Sequence, residues 1–130
     1  MKYVVLIHSN PRPWGHPTSD FVAEHQALPQ EQRERMQADF EKLLAEMQAD
    51  GELVGGEALA APTSARLYRW DTGEPIVSDG PYSESKEHLA GFFLIDVEGL
   101  ERAEAVATRM AGPGETVELR PTMWPGGDDA

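Results

Sequence analysis

The segment Pro29–Gly51, PQEQRERMQADFEKLLAEMQADG, decides how the rest of the chain is read. Met36, Phe40, Leu43, Leu44 and Met47 recur at helical spacing and form one apolar stripe on an otherwise polar cylinder. Pro29 suits a helix's first turn, where its missing N–H is no loss, and Gly51 is a natural left-handed stop. The spacing predicts an amphipathic helix over Gln30–Asp50, long enough to lie across a sheet.

Strands flank it. Upstream, Lys2–His8 is β-branched and aromatic and ends at Asn10-Pro11, which predicts a strand buried on both faces. Between strand and helix lies a Pro/Gly-rich loop, Pro11–Pro17, carrying Trp14 and His16. Thr18 or Ser19 is placed to cap a short helix running to His25, with Phe21 and Val22 as its apolar contacts. Downstream, ELVGGEALA (52–60) reads as a strand whose glycine pair predicts a bulge or a close backbone approach. Pro62–Ser64 turns the chain. ARLYRW (65–70) and PIVS (75–78) flank DTGE as a β-hairpin with an Asp-x-Gly turn.

After the loop that starts at Asp79 comes an apolar strand, Gly91–Val97. A second amphipathic helix follows on Leu100, Ala103, Val106, Ala107 and Met110, stopped by GPG at Gly112–Gly114. TVELRP (116–121) closes the sheet, and residues 122–130 form a tail expected to be mobile at its end. The order is β-α-β, a hairpin insertion, then β-α-β, which defines an α+β domain of the ferredoxin-like split βαβ plan spanning 1–130. Two helices cover one face of such a sheet. The other face needs a cover, and a second copy of the chain would provide it, so a homodimer is expected.

Composition narrows the function. The chain has 130 residues, no cysteine and a formal charge of −12. Thiolate catalysis, iron–sulfur clusters and cysteine-based zinc sites are excluded. Acid spread along the chain with no Lys/Arg cluster argues against nucleic acid and against an anionic membrane surface as partners. The apolar run Tyr3–Ile7 is too short for a signal-peptide core or a membrane span, so a cytoplasmic location is the default. No phosphate-binding glycine loop is present, and no cofactor is expected.

Four histidines, His8, His16, His25 and His88, stand apart with no HxH or HExxH spacing, so no metal site is expected. His8 stands out because it ends a buried strand where such sheets open toward a cleft, the place for a general base if a carboxylate orients it. Asp79 begins a DGP turn and explains itself as a turn residue. In a functional reading, Asp79 and Ser83 face a small ligand, with Lys86 supplying positive charge. Glu118 and Arg120, two apart, share one strand face. Arg120 can bind a substrate carboxylate, or it is simply paired with Glu57 or another neighbour. Trp14, Trp70 and Trp124 are read as packing or subunit-interface residues.

Taken together, DGPYSESKEHLAGFFLIDVEGLERA (79–103) resembles the DGPF-type branch of the YCII-related proteins, with Tyr82 in the Phe position and SESKE at Ser83–Glu87. MKYVVLIH, GELVGGEAL and VELRP are similar to the same family. The resemblance implies a dimeric α+β barrel whose activity is mostly unassigned, with acid/base work by a His and an Asp at a pocket suspected in the broader group. It also implies a His on the long helix three residues before an aromatic. Counting back from Phe40, this chain has Gln37 there, which cannot exchange a proton at neutral pH. Either His8 or His25 takes over as base, or this member only binds a ligand. DGPF proteins often accompany extracytoplasmic-function sigma factors, which implies a regulatory setting.

Two readings follow. One is a small cytoplasmic enzyme doing acid/base chemistry on a small polar metabolite in the barrel pocket, with His8 and Asp79 as the pair. Ser83, Lys86, Arg120 and Glu57 would then bind the substrate. The other is a non-catalytic ligand- or partner-binding module linked to transcriptional regulation, with a pocket lined mainly by apolar groups.

Overall fold

A computed structural model describes residues 1–83 and 85–123. Trp124 and nearly all of the expected tail lie outside the described residues, as does Glu84. Among the described residues, six strands and three α-helices occur in the order β1 (Lys2–Ser9), α1 (Ala23–Gln26), α2 (Gln30–Ala49), β2 (Leu53–Ala58), β3 (Arg66–Asp71), β4 (Glu74–Asp79), β5 (His88–Asp96), α3 (Leu100–Met110) and β6 (Thr116–Pro121).

Strands β2, β5, β1 and β6 form one antiparallel sheet in that spatial order. Each βαβ half therefore leaves a gap that a strand of the other half fills, which is the ferredoxin-like arrangement expected from the element order. Strands β3 and β4 pair only with each other, as a separate ribbon inserted between β2 and β5. Its two-residue turn has Thr72 and Gly73 at φ 43° and 92°, the positive values that match a hairpin's twist.

The sheet's pleat divides β1 cleanly. Tyr3, Val5 and Ile7 point to the helices, and Tyr3 and Val5 are buried there with Leu43, Met47, Ile95, Ala103 and Val106. Removing a Leu or Val side chain from water in this way stabilises the fold by roughly 1.5–3 kcal/mol each. Of the α2 stripe, Leu43 and Met47 are fully buried, Phe40 and Leu44 pack at the margin of the core, and Gly51 (φ 73°) stops the helix.

The opposite face of β1 departs from the expectation of burial on both sides. Val4 pairs with Leu94, and Leu6 with Phe92, and all four are only half-buried. The apolar run alone reads as burial on both faces; it is the count of two amphipathic helices that leaves this face without a cover from its own chain.

In β2 both glycine expectations are met. The register shifts between Leu53 and Gly55, a bulge one residue ahead of the glycine pair. At Gly56 a Cβ would stand 2.6 Å from the Phe92 carbonyl oxygen, so only glycine allows this approach. The join of β2 to α3 is electrostatic: Arg102 donates from Nε and a terminal nitrogen to both Glu52 oxygens at 2.9 and 2.8 Å. That bidentate bond is the main reason the Glu52 carboxyl sits below its ordinary value and Arg102 above its own. Partial burial opposes both shifts.

The segment before α2 differs from the single capped helix expected. Thr18–Phe21 is one 3₁₀ turn and α1 one helical turn, and neither Thr18 nor Ser19 caps a helix. Thr18 Oγ1 instead donates to Glu115 Oε2 at 2.5 Å, binding this segment to the loop before β6.

Candidate functional site

Two places gather chemistry, one on each face of the sheet. The first lies between the sheet, the first half of α2 and the Pro/Gly-rich loop, where a cavity of about 570 Å³ opens. Ile7 and Phe93 from the sheet, Met36 and Phe40 from α2, and Met110 from the end of α3 make its apolar floor. Phe40 and Phe93 meet with their rings tilted by 59° and their centroids 6.1 Å apart. The volume falls within the range of small-molecule sites.

Polar groups border that floor. Trp14 Nε1 and His16 Nε2 both lie 2.9 Å from the Leu59 carbonyl oxygen, which pins the loop to the end of β2. Since a carbonyl only accepts, Nε2 of His16 carries the proton. Trp14 thus anchors the loop through its indole N–H. Gln37, Asp39 and Glu115 also line the cavity, with Arg109, whose guanidinium bonds Glu46 at 3.2 Å.

His25, named from the sequence only as one of two replacements for the histidine missing at Gln37, stands here. It is 6% exposed, lines the cavity, and among the described residues its Nδ1 has no hydrogen-bond partner. A buried polar atom left unpaired costs about 1–3 kcal/mol. Its burial follows from its spacing of three from Val22, which puts both on one side of the single α1 turn. A single turn is too short to make a periodic pattern that would show this burial. Gln37, which stands at the position where the resemblance implies a histidine, lines the same cavity.

The second place is the open sheet face. Strand pairing sets His8 beside Thr116, Leu6 beside Glu118 and Phe92, and Val4 beside Arg120, with Glu57 next to Phe92 at the β2 edge. His8 Nε2 is 2.9 Å from Glu118 Oε1, and Arg120 Nε is 3.9 Å from the other Glu118 oxygen. Glu118 therefore bridges a histidine and an arginine across an apolar surface. Of the residues singled out in the sequence, His8, Arg120 and Glu57 share this face.

Asp79 stands elsewhere. Its side chain is 85% exposed at the end of the β3–β4 ribbon and bonds Arg66 at 3.4 Å, while the carboxylate within reach of His8 is Glu118. Ser83 and Lys86 are exposed in the loop that follows. This loop is tied at both ends. Gly80 N–H donates to the Ala65 carbonyl at 2.8 Å, and Glu87 Oε1 accepts from Thr116 Oγ1 at 2.8 Å. Ser85 Oγ donates to the Glu87 carbonyl, and the Arg69 guanidinium lies 5.8 Å from the Tyr82 ring centre. Through Glu87 the loop thus reaches the rung that carries His8, although Asp79 does not.

Among the described residues, no group of three His, Cys, Asp or Glu side chains is arranged to hold a metal ion, and no helix is long and apolar enough to cross a membrane.

The topology and the glycine-dependent approach of β2 to β5 place the chain in an α+β class. Residues 1–118 match the YCII-related domain, and the chain belongs to the YCII-related family. It is also similar to a protein of Rhizobium meliloti (strain 1021) described only as uncharacterised. The two are 34% identical over 98 residues, 73% of this chain and 79% of that protein.

Proposed function

We propose that this YCII-related chain binds a small molecule in the cavity between α2 and the sheet, and that it does so as a homodimer whose open sheet faces meet to form a barrel. The observation that carries the reading is the cavity itself: about 570 Å³, with an apolar floor and a border of a few polar groups. It favours the non-catalytic alternative, in which binding changes what the protein associates with, over turnover. The DGPF-like loop at Asp79–Glu87 would then be one of the surfaces presented to a partner. The dimer is supported by the half-buried row of Val4, Leu6, Phe92 and Leu94, which a second copy would cover.

Thermal unfolding measured against a library of uncharged aromatic and aliphatic compounds tests the pocket. Phe40→Trp, which fills the floor, should abolish any stabilisation seen with the wild type, and equal stabilisation in both would sink the assignment. Sedimentation at micromolar concentration tests the dimer, which should run at twice the 14.3 kDa chain mass.

A second reading, acid/base catalysis, is favoured by one observation: His8 and Glu118 lie 2.9 Å apart on the face that the dimer would enclose. Here His8 is the base, Glu118 takes the orienting role first given to Asp79, and Arg120 anchors a carboxylate. The wild type would then accelerate hydrogen–deuterium exchange next to the carbonyl of small oxo acids, and His8→Asn would not. Identical exchange in both proteins rules this reading out.

A further inference from the structure

We infer that the β3–β4 ribbon is an arm that grips a second copy of the chain, laying against it the face that carries Tyr68, Trp70, Pro75 and Val77. The inference rests on the homodimer proposed above. Cross-strand pairing sets Tyr68 opposite Val77 and Trp70 opposite Pro75, so the four side chains form one continuous strip on one face of the ribbon. All four are exposed. In the two strands only Leu67 is as much as half-buried, and among the described residues neither strand pairs outside the ribbon. A lone two-stranded hairpin is marginal in water and needs its apolar face packed on something. Tyrosine and tryptophan are also the side chains that carry most binding energy in protein interfaces.

Two observations select a second copy as the occupant. The first is charge. The chain carries −12, so a partner of like sign is repelled by most of its surface. On the ribbon, Arg66 and Arg69 against Asp71, Glu74 and Asp79 leave one net negative charge, and the strip itself is uncharged. A basic partner would be drawn to the acidic remainder of the surface, whereas an equally acidic second copy is least repelled here. The second is position. The ribbon leaves the sheet after β2 and returns at β5, the strand that carries Phe92 and Leu94 of the uncovered row. Its return loop is tied beside His8, since Glu87 accepts from Thr116, the strand neighbour of His8. The ribbon thus springs from the margin of the open face, and six extended residues reach about 20 Å. A copy seated on that face comes within this reach, and two-fold symmetry has each chain give one arm and receive one.

Sedimentation over a range of concentrations, joined to a thiol probe, tests the arm. Trp70→Ser should weaken the dimer about tenfold or more, as truncating a central interface tryptophan does, with the circular dichroism unchanged. Ser78→Gln alters the opposite face of the ribbon and should leave dissociation within about twofold of the wild type. A dimer unaltered by Trp70→Ser, or weakened as much by Ser78→Gln, overturns the assignment of the strip. The chain has no cysteine, so Val77→Cys introduces its sole thiol, on the strip itself. That thiol should react with Ellman's reagent about tenfold or more slowly in the dimer than in the monomer reached by dilution, because reaction requires access. Equal rates overturn the inference, and this measurement decides the matter should Trp70→Ser not fold. Each of these failures leaves the dimer standing. A wild type that runs at 14.3 kDa at every concentration removes the dimer, and the arm with it.

Discussion

The two faces of the four-stranded sheet are built from similar side chains and end in different states. Toward the helices, Tyr3, Val5 and Ile95 are sealed under Leu43, Met47 and Val106. Away from them, Val4, Leu6, Phe92 and Leu94 stay half-buried, and polar residues stand among them: His8, Glu118 and Arg120. The difference is one of cover. The helix face carries the stability of the single chain, whereas the open face holds apolar area whose burial waits for another surface. A face of that kind tolerates a histidine–glutamate pair, because its members reach water until the face is covered.

Truncation at matched residues would break this comparison most directly. Leu43→Ala, on the sealed side, should cost about 2–5 kcal/mol in denaturant unfolding. A loss near zero would mean that α2 does not carry the core.

The open face should respond differently to a charge. Leu6→Glu places a carboxylate beside Glu118 and opposite Phe92. Its main effect should be on association, shifting the mass in sedimentation from twice the chain mass to 14.3 kDa while the circular dichroism of the folded chain persists. Unfolding instead of dissociation would show that the open face also supports the monomer.

Between the two extremes lies the Glu52–Arg102 pair, which joins the edge of the sheet to α3. Glu52→Gln should cost roughly 1–2 kcal/mol, the worth of a charge-assisted pair discounted for its partial contact with solvent. The sign of its pH dependence follows from the lowered Glu52 value. The unfolded chain takes up this proton first, so the stabilisation is full above the ordinary Glu range and is lost as pH falls through the folded value. Wild type and Glu52→Gln should therefore converge in stability at acid pH. Parallel curves down to the acid limit would contradict the pair's role.

The smallest effect belongs to the ribbon. Asp79→Ala removes an exposed bond to Arg66 and should change stability by less than about 0.5 kcal/mol. A larger loss would show that the ribbon is held by something other than its own pairing. Trp70 and Tyr68 are 74% and 68% exposed on the same ribbon, so among the described residues Trp70 is not a packing residue, and of the reading given to it the interface part stays open.

Much of the fold was legible because its elements are long or sharply punctuated. The α2 stripe recurs over several turns, Gly51 ends it, and the hairpin turn sits where Asp71-Thr72-Gly73 places it. Strand β5 begins at His88, ahead of the expected Gly91, because a register shift against β1 lets pairing continue through Leu89 and His88. The candidate sites were less legible. Glu118 and Arg120 could be placed on one face from their spacing, and His8 could be marked as a strand-end histidine. That Glu118 is the partner of His8 depends on β6 lying beside β1, a contact between opposite ends of the chain. Thr18 looked like a cap because its neighbours in sequence favour one, yet its hydroxyl goes to Glu115, distant in sequence.

The sequence by itself determined the order of the elements, the ferredoxin-like plan and the presence of one uncovered apolar face. Periodicity, turn chemistry and the number of helices are local or countable properties. Only the tertiary structure decided which polar groups meet: His8 with Glu118 on the open face, and His25 with Gln37 around the cavity. These meetings depend on strand order and on how a short segment lies across a helix. No local preference encodes either, because they follow from burying the whole apolar surface at once.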